Sequence, residues 1–420
     1  MHPLKTIPRD YYLQKLIRAK HNGLIKIVSG VRRCGKSYLL FRLFVQHLRE
    51  QGVPDDHIIT AQLDRRDGKE LRDPDAFIAY VRHKVEDQDP YYILIDEVQM
   101  MPNFEEVLNE LLDEDNLDVY VTGSNARFLT KDVITEFRGR SEDIRLYPLS
   151  FSEYFAQQNE GWEKAYRNYA YFGGMPLVVA QETEGEKSGY LVRLFQETYL
   201  RDVIERHKIR NSAELEELLS IIASNVGSLT NPARLERVFQ SRKNVKLSAQ
   251  TIEHYIDCLE NAFLVRKVLR YDIKGNSYVN TPMKYYFVDP GLRNACLHFR
   301  QFEYPHLTEN IVYTELVRRG YLVDVGKVQV NEKQSSKTYQ RRDVEIDFVA
   351  NLGSKRYYLQ VTTDLPNAEK IYQEKRPFYA VYDNFKKILV LQNGAINHQD
   401  QDGITIVSLE DFLLHPATWE

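Results

Sequence analysis

The strongest constraint in this chain is a glycine-rich loop that separates a short apolar strand from an amphipathic helix. The loop is Gly30-x-x-x-x-Gly35-Lys36-Ser37, and the apolar strand at residues 24–28 comes just before it. The helix that follows has one apolar face at helical spacing, formed by Leu39, Leu40, Leu43, Phe44 and Leu48. A strand, a tight loop and a helix in this order predict a parallel α/β unit with a phosphate-binding loop.

The chemistry expected of this loop follows from its residue types. Glycines let backbone N–H groups close around phosphate oxygen atoms, and the start of the helix adds a partial positive charge. We expect Lys36 to reach the β- and γ-phosphates of a nucleotide and Ser37 to ligate Mg²⁺. We interpret Cys34, at a variable position of the loop, as filler rather than a redox switch. The residues predicted to line the nucleotide are Gly30, Arg33, Cys34, Gly35, Lys36, Ser37 and Tyr38.

Two further strands are predicted to end beside this loop. The run at residues 91–95 is apolar and is followed by Asp96 and Glu97. Ligands bind at the carboxyl ends of the strands in an open parallel sheet. We therefore expect Asp96 to hold Mg²⁺ and Glu97 to orient or deprotonate the attacking water. The run "NLDVYVTGSN" predicts another strand, whose polar end can contact the γ-phosphate through Thr122, Ser124 and Asn125.

Composition sets outer limits on the class of protein. The chain has 420 residues, of which 43% are apolar and 28% charged, as expected of a soluble globular protein with about two to four domains. Its net charge of −4 gives no overall field for nucleic acid or membrane. Three widely spaced cysteines do not form a disulfide framework. No apolar run approaches the roughly 18 residues of a membrane span, so we expect a cytoplasmic protein without membrane contact.

The order of several motifs resembles that of the AAA-type ATPases of the AAA_14 family, in the branch related to STAND proteins. The motifs are "SGVRRCGKS", "ILIDEVQ", "VTGSNARFL", "FRGR", "LYPLSFSEYF" and "YFGGMP". The resemblance implies ATP and Mg²⁺ as cofactors. It also implies a sensor at Asn125 or Ser124 and an arginine finger at Arg140, with Arg138 as the alternative. A finger that acts across a subunit interface would require a homo-oligomer. Members commonly carry a C-terminal DUF4143 region.

The "YFGGMP" motif has two interpretations. By the resemblance, Gly174 and Pro176 shape a turn near the base or the phosphates of the nucleotide. A turn at the start of a helix, with proline in its first position, explains the same residues locally.

The middle of the chain predicts a winged helix. Three helical patterns are followed by two strand patterns around Gly275-Asn276. Residues 231–284 hold ten Lys or Arg and five Asp or Glu, a local net charge of +5. This charge favours contact with DNA or RNA phosphates, although many winged helices bind only protein. The candidate contacts are Arg242, Lys243, Lys246, Arg266 and Lys267.

The last third predicts a fold of the PD-(D/E)xK nuclease type that lacks its lysine. Glu309 lies on a predicted helix, Asp347 on a strand, and Gln360 on the next strand. Two carboxylates to hold Mg²⁺ and a lysine near the nucleophile are needed for that chemistry. Thr362 occupies the lysine position, so we interpret the site as degenerate and expect no nuclease catalysis.

These patterns predict four regions and leave three functions open. The regions are an AAA-like core at residues 1–155, a helical lid at 156–212, a winged helix at 213–295 and a DUF4143-like region at 296–420. The leading hypothesis is an ATPase that couples nucleotide state to nucleic-acid binding. The alternatives are a STAND-like protein-interaction switch and a metal-dependent nuclease with a degenerate site.

Overall fold

The chain folds into two compact units, which a computed structural model describes for residues 6–123, 137, 139–243, 247–333, 339–394 and 397–420. The first unit comprises Met1–Pro148, Met175–Ala180 and Asn261–Phe263. The second comprises Leu149–Gly174, Gln181–Glu260 and Leu264–Glu420. The backbone therefore passes between the two units several times.

The first unit is built on a five-stranded parallel sheet. Its strands are β1 (Ile25–Ser29), β2 (Ile58–Gln62), β3 (Tyr91–Asp96), β4 (Leu117–Gly123) and β5 (Ser141–Arg145). Their order across the sheet is β2-β3-β4-β1-β5. Every residue of β1, β3 and β4 is buried, which explains their nearly continuous apolar sequences. The predicted parallel α/β core is confirmed.

In the described part of the first unit, one helix precedes β1 and three helices of more than one turn lie between the strands. They are α1 (Asp10–Arg18), α2 (Lys36–Tyr38, a π-helical stretch Leu39–Phe44, and Val45–Glu50), α3 (Pro74–Lys84) and α4 (Phe104–Leu112), and a single turn spans Pro176–Val179. Helix α3 begins where the Asp73 carboxylate accepts a hydrogen bond from the N–H of Ala76, at 2.9 Å. An aspartate in this position satisfies one of the free N–H groups of the first turn.

The second unit contains the remaining helices. The helices are α5 (Phe151–Phe155), α6 (Trp162–Phe172), α7 (Glu184–Arg193, Leu194–Leu200 and Arg201–His207), α8 (Ser212–Ser224), α9 (Pro232–Lys243), α10 (Ala249–Asn261), α11 (Pro290–Cys296), α12 (Tyr304–Arg318), α13 (Ala368–Tyr379) and α14 (Leu409–Leu414). Helices α6 and α7 occupy much of the region predicted as a lid, and that role remains a prediction.

An eight-stranded mixed sheet organises the second unit. Its strands are β6 (Val265–Asp272), β7 (Ser277–Phe287), β8 (Leu322–Lys333), β9 (Tyr339–Leu352), β10 (Lys355–Thr362), β11 (Lys386–Leu391), β12 (His398–Gln399) and β13 (Thr405–Ser408). The order across the sheet is β12-β13-β11-β10-β9-β8-β6-β7.

The hairpin predicted as the wing is therefore part of this larger sheet. Strand β6 pairs in parallel with β8, and Arg270 lies opposite Val325. The predicted boundary at residue 295 does not separate two sheets, because hydrogen bonds continue from β6 to β8 across it. Among the helices that the structure describes, none combines the length and the apolar character needed to span a membrane.

Candidate nucleotide-binding site

The loop after β1 has the backbone shape of a phosphate cradle. Gly30 has a φ of +147° and Gly35 a φ of +103°, and Arg33 between them is left-handed at +64°. A Cβ atom on Gly30 would lie 2.2 Å from the carbonyl oxygen of Leu146, so the loop approaches β5 too closely for any side chain there. Glycine at this position is a steric requirement of the loop.

The lysine of the loop is folded back onto it. The Lys36 Nζ donates to the carbonyl oxygen of Gly30 at 3.0 Å and to that of Val31 at 3.3 Å. The side chain is buried at the start of helix α2. The two carbonyl oxygens hold the ammonium group inside the cradle, where a phosphate can replace these weaker partners.

The predicted metal ligands meet at one edge of the sheet. The Ser37 hydroxyl donates to Asp96 Oδ1 at 3.0 Å, and the Thr122 hydroxyl donates to the same oxygen. Ser37 follows β1, Asp96 ends β3 and Thr122 lies near the end of β4, as the carboxyl ends of parallel strands require. Burial raises the pKa of Asp96, and the hydrogen bonds from Thr122 and Ser37 oppose that rise.

Glu97 is held in a left-handed backbone conformation directly after β3. Its φ is +51°, and its backbone N–H donates to the Thr122 hydroxyl at 2.9 Å. Gln99 donates a side-chain hydrogen bond to the Glu97 carboxylate. A non-glycine residue in this conformation is held by its surroundings. Thr122 is therefore hydrogen-bonded to both Glu97 and Asp96, the two acidic residues that follow one another at the end of β3.

Two other residues predicted to line the nucleotide, Cys34 and Tyr38, differ in their exposure. Cys34 is fully buried, and burial raises the pKa of its thiol, while the charges of Lys36 and Arg9 oppose the rise. Arg9 donates to the carbonyl oxygens of Cys34 at 3.2 Å and of Tyr147 at 2.6 Å. A buried arginine near the chain start thus supports the loop, a role that the sequence did not indicate. Tyr38 is exposed.

Arg140 lies at the opposite edge of the sheet from the loop. Its carbonyl oxygen accepts a hydrogen bond from the N–H of Ile25, the first residue of β1, at 2.9 Å. Its guanidinium pairs with Asp113 at 3.5 Å on the surface. The length of β1, roughly 16 Å at about 3.3 Å per residue, separates Arg140 from the phosphate loop of the same chain. The other residues predicted for the sensor and the finger, Ser124, Asn125 and Arg138, lie outside the described residues.

The "YFGGMP" residues have separate partners. In the first unit, Pro176 is near the loop, since its Cγ would lie 4.0 Å from a Cβ on Gly35. In the second unit, the N–H of Gly174 donates to Asp289 Oδ2 at 2.7 Å. The other oxygen of Asp289 caps helix α11 by accepting from Leu292 N at 3.0 Å. Burial raises the pKa of Asp289 to about 6, against the opposing effect of these hydrogen bonds.

The predicted nucleic-acid contacts have different surroundings. Lys267 Nζ lies 3.8 Å from Asp257 and 3.9 Å from Glu260, so carboxylates of α10 already surround its charge. Arg266 is exposed on β6. Arg242 and Lys243 belong to the last turn of α9, and Lys246 lies outside the described residues.

The nuclease-like residues come together, with two companions that the sequence did not suggest. Glu309 Oε1 lies 2.8 Å from the Nζ of Lys284 on β7, and Lys284 is also 2.5 Å from Glu345 Oε1 on β9. Asp347 accepts a hydrogen bond from the N–H of Val361 at 2.8 Å. The side-chain oxygen of Gln360 accepts from the N–H of Asp347 at 3.3 Å. A lysine is therefore present, but it comes from β7 rather than from β10.

Comparisons with known proteins agree with the geometry of the first unit. The AAA_14 family model, described as an AAA domain, matches residues 22–155. A domain of unknown function, DUF8612, matches residues 163–303. It was not among the predictions, and the DUF4143 assignment of residues 296–420 remains a prediction.

Two solved structures are similar over much of the chain. One is the Aeropyrum pernix ORC1 protein in complex with DNA, at 11% identity, 70% of this chain, 93% of that chain and a TM-score of 0.29. The other is Cdc6p from Pyrobaculum aerophilum, at 11% identity, 72% of this chain, 97% of that chain and a TM-score of 0.28. Both TM-scores are too low to support a functional argument.

Two sequence relatives match almost the whole chain. An uncharacterized protein of Methanocaldococcus jannaschii is 27% identical over 435 residues, which cover 99% of this chain and 91% of the relative. An uncharacterized protein of Haemophilus influenzae is 35% identical over 415 residues, which cover 97% of this chain and 98% of the relative. The chain therefore belongs to the same family as the Haemophilus influenzae protein, and its residues 22–155 match the model of an AAA domain.

Proposed function

We propose that the first unit is a Mg²⁺-dependent ATP hydrolase. The observation that carries the proposal is the hydrogen bond between Ser37 and Asp96 at 3.0 Å, beside the buried amine of Lys36. A serine hydroxyl and an aspartate oxygen are the hard ligands that Mg²⁺ takes in nucleotide sites. Here a hydrogen bond joins the two side chains.

The residues present suit a metal ion. Asp96 is buried, its pKa is raised by that burial, and only hydroxyl donors stabilise its charge among the contacts described. When bound, Mg²⁺ would supply positive charge next to the phosphates. Ser37 and Asp96 would hold it, and Thr122 would keep the Asp96 carboxylate in its present orientation.

The remaining residues divide the work of hydrolysis. Lys36 exchanges its two carbonyl partners for phosphate oxygens and neutralises part of their charge. Glu97 accepts the proton of the attacking water, or orients that water, from the turn after β3. Asn125 is proposed as the sensor of the γ-phosphate. Gly30, Arg33, Cys34, Gly35 and Tyr38 complete the loop around ATP or ADP.

Arg140 is proposed to act on the nucleotide of a neighbouring subunit. Its position at the amino edge of the sheet is too far from the loop of its own chain. A homo-oligomer would place this guanidinium against the phosphates of the next copy, where such a group contributes on the order of 10³-fold or more to the rate.

The test of the hydrolase compares phosphate release by the wild type and single variants. Lys36→Ala should lose nucleotide binding and hydrolysis together. Glu97→Gln should keep nucleotide binding and lose at least about 100-fold in rate, as expected when general-base catalysis is removed. Lys69→Ala, on the surface of the same unit, is the matched control and should be unchanged. Normal hydrolysis in both Lys36→Ala and Glu97→Gln would refute the proposal.

A mixing experiment tests the role of Arg140. Lys36→Ala and Arg140→Ala should each be inactive alone, because one lacks the phosphate site and the other the finger. Mixed subunits place an intact Arg140 beside an intact phosphate site, so activity should return. Full activity of Arg140→Ala alone would contradict the role.

A second candidate function, contact with nucleic acid, is favoured by helix α9 rather than by α10. Arg234 and Arg237 lie on one face of α9 and line a surface cavity of about 520 Å³ with Val238 and Ser241. Their only side-chain partners among the described residues are backbone carbonyl oxygens, those of Leu229 and Ala233. Guanidinium groups that contact only neutral carbonyls in the described part of the chain suit phosphate oxygens.

The neighbouring helix α10 has the opposite charge. Its exposed side chains include Glu253 and Asp257, and Glu260 and Asp257 already surround Lys267. An acidic helix repels a phosphate backbone, so α10 is a poor candidate for insertion into a DNA groove. We therefore propose that α9, with Arg242 and Lys243 in its last turn, is the contact.

Binding of labelled DNA and RNA across a range of salt concentrations tests this second function. Reversing Arg234 and Arg237 to Glu should weaken binding and lower the salt slope by about 0.9 for each duplex DNA phosphate that is no longer neutralised. Lys267→Glu is the control, and it should change binding little. Unchanged binding after reversal at α9 would refute this contact. Recovery of one protein partner without nucleic acid would instead favour the STAND-like switch.

A further inference from the structure

A cluster of charged side chains in the second unit joins strand β7, helix α12 and strand β9. Lys284 on β7 is only 3% exposed, and its ammonium contacts Glu309 of α12 and Glu345 of β9. Asp347 lies two residues after Glu345 and so on the same face of β9. Burial by itself lowers the pKa of Lys284, but Glu309, Glu345 and Asp347 outweigh it and raise that pKa. The lysine is therefore a buried, charged cation among three carboxylates.

One oxygen atom of each of the two glutamates is already engaged by the lysine. Lys284 and the Tyr286 hydroxyl both donate to Glu309 Oε1, at 2.8 Å and 2.5 Å. Lys284 also contacts Glu345 Oε1 at 2.5 Å. A divalent cation bound through these two oxygen atoms would compete with the ammonium for them, and at any other oxygen of the pair it would lie close to the positive charge of Lys284. The cluster is thus complete with Lys284 as its cation.

The other two side chains expected at a nuclease metal site, those of Asp347 and Gln360, form hydrogen bonds with backbone N–H groups. Asp347 accepts the N–H of Val361, and the side-chain oxygen of Gln360 accepts the N–H of Asp347. Among the residues that the structure describes, no three histidine, cysteine or carboxylate side chains converge as a metal site. Mg²⁺ also keeps several water ligands in most protein sites, whereas Lys284 is closed off from solvent.

A glycine helps to enclose the cluster. A Cβ atom on Gly227 would lie 3.1 Å from Glu309 Oε1, and Gly227 has a φ of +72°. The N–H of Gly227 donates to the carbonyl oxygen of Tyr285 at 3.2 Å, next to Lys284 in sequence. The loop after α8 therefore closes over Glu309 and is itself attached to β7.

We infer that the Lys284 ammonium is the permanent cation of this cluster and stands in place of the divalent metal that a nuclease-like fold would hold there. The lysine joins β7 to α12 and β9, and the second unit performs no metal-dependent hydrolysis with these carboxylates. Buried carboxylates without a counter-charge are strongly unfavourable, so the wild type needs Lys284 and the cluster can accept another cation only when Lys284 is removed. This inference is independent of ATP hydrolysis by the first unit.

The test measures Mn²⁺ binding to the full chain without nucleotide, by electron paramagnetic resonance of the free ion and by the shift of the melting temperature. In the wild type, Asp347→Asn should leave the Mn²⁺ stoichiometry unchanged. Lys284→Met should melt at a lower temperature than the wild type. It should gain one Mn²⁺ site, with an affinity at least tenfold higher than that of any Asp347-dependent site in the wild type. Added Mn²⁺ should restore part of its melting temperature. Adding Asp347→Asn to Lys284→Met should remove the gained site.

The matched control is Lys375→Met. Lys375 is also buried, but it pairs with Asp400 alone among the described residues, so its removal exposes one carboxylate and should create no Mn²⁺ site. Wild-type binding of Mn²⁺ that is lost in Asp347→Asn would overturn the inference, as would a folded Lys284→Met that gains no site. If Lys284→Met does not fold, Lys284→Gln replaces it, and the wild-type comparison still decides.

Discussion

Asp289 provides the sharpest test of how the second unit is held together. Its two carboxylate oxygens accept the N–H groups of Gly174 and Leu292, at 2.7 Å and 3.0 Å. All three residues are buried. Asp289→Ala would leave both donors without an acceptor. Each unsatisfied buried donor costs about 1 to 3 kcal/mol, so we expect the free energy of unfolding to fall by about 2 to 6 kcal/mol.

Asp289→Asn separates the hydrogen bonds from the charge. Its oxygen can still accept from Leu292, while its NH₂ group faces the N–H of Gly174, and one lost hydrogen bond costs about 1 to 3 kcal/mol. Burial raises the pKa of Asp289 from 3.8 to about 6. The folded state therefore binds the proton of the Asp289 carboxyl group more tightly than the unfolded state does. The stabilisation of the folded state by this proton is complete below pH 3.8 and is lost as the pH rises through 6.

The magnitude of this pH effect follows from the shift in pKa. A difference of roughly 2 units corresponds to about 3 kcal/mol at 1.36 kcal/mol per unit. The stability advantage of the wild type over Asp289→Asn should therefore shrink by up to about 3 kcal/mol between pH 4 and pH 7, since asparagine does not titrate.

Urea unfolding followed by tryptophan fluorescence measures these changes in the free energy of unfolding of the second unit. The chain has two tryptophans, Trp162 and Trp419, and both belong to the second unit. The proposed role of Asp289 would be refuted if Asp289→Ala unfolded within about 0.5 kcal/mol of the wild type, the usual range for surface substitutions. It would also fail if the advantage over Asp289→Asn grew with pH.

Three further predictions rest on single contacts. Gly174→Ala should lower the free energy of unfolding by more than about 3 kcal/mol, since its Cβ would lie 2.1 Å from a carbonyl oxygen. The control Gly185→Ala has open space around it, so its free energy of unfolding should stay within about 1 kcal/mol of the wild type in the same assay. Asp118→Leu should cost about 3 to 5 kcal/mol, because it strands the fully buried Lys26. Adding Lys26→Met should recover part of that loss in thermal melts followed by circular dichroism. A thiol reagent should modify none of the buried cysteines before unfolding, since burial raises the pKa of each thiol: Cys34, Cys258 and Cys296.

The first unit was predictable because its signals are local. The loop from Gly30 to Ser37 and the apolar strand before Asp96 are each read from a short run of residues. Only one non-local rule, that the carboxyl ends of parallel strands share an edge, was needed to bring Ser37 and Asp96 together. The hydrogen bonds that join Thr122 to Asp96 and Glu97 were not predictable, since they depend on side-chain geometry.

The second unit was less predictable because its contacts join distant parts of the chain. The sequence pattern places the expected lysine near Gln360 on β10 and does not indicate Lys284, which contacts Glu309 and Glu345 from β7. Residues 213–295 contain helices followed by two strands, as their patterns predict, and the winged-helix assignment stays a prediction. Whether β6 pairs with β8 is decided by tertiary contacts. No local pattern distinguishes a separate wing from two strands of a larger sheet.

The route of the backbone decides how this protein can be divided. Because Met175–Ala180 and Asn261–Phe263 belong to the first unit, a fragment that ends at Pro148 lacks two pieces of the fold it is meant to contain. A fragment that starts at Leu149 carries those pieces without their partners. Removing either half by truncation therefore damages both halves. The activities of the two units are better separated by point substitutions, and a single proteolytic cut near residue 148 should not yield two intact products.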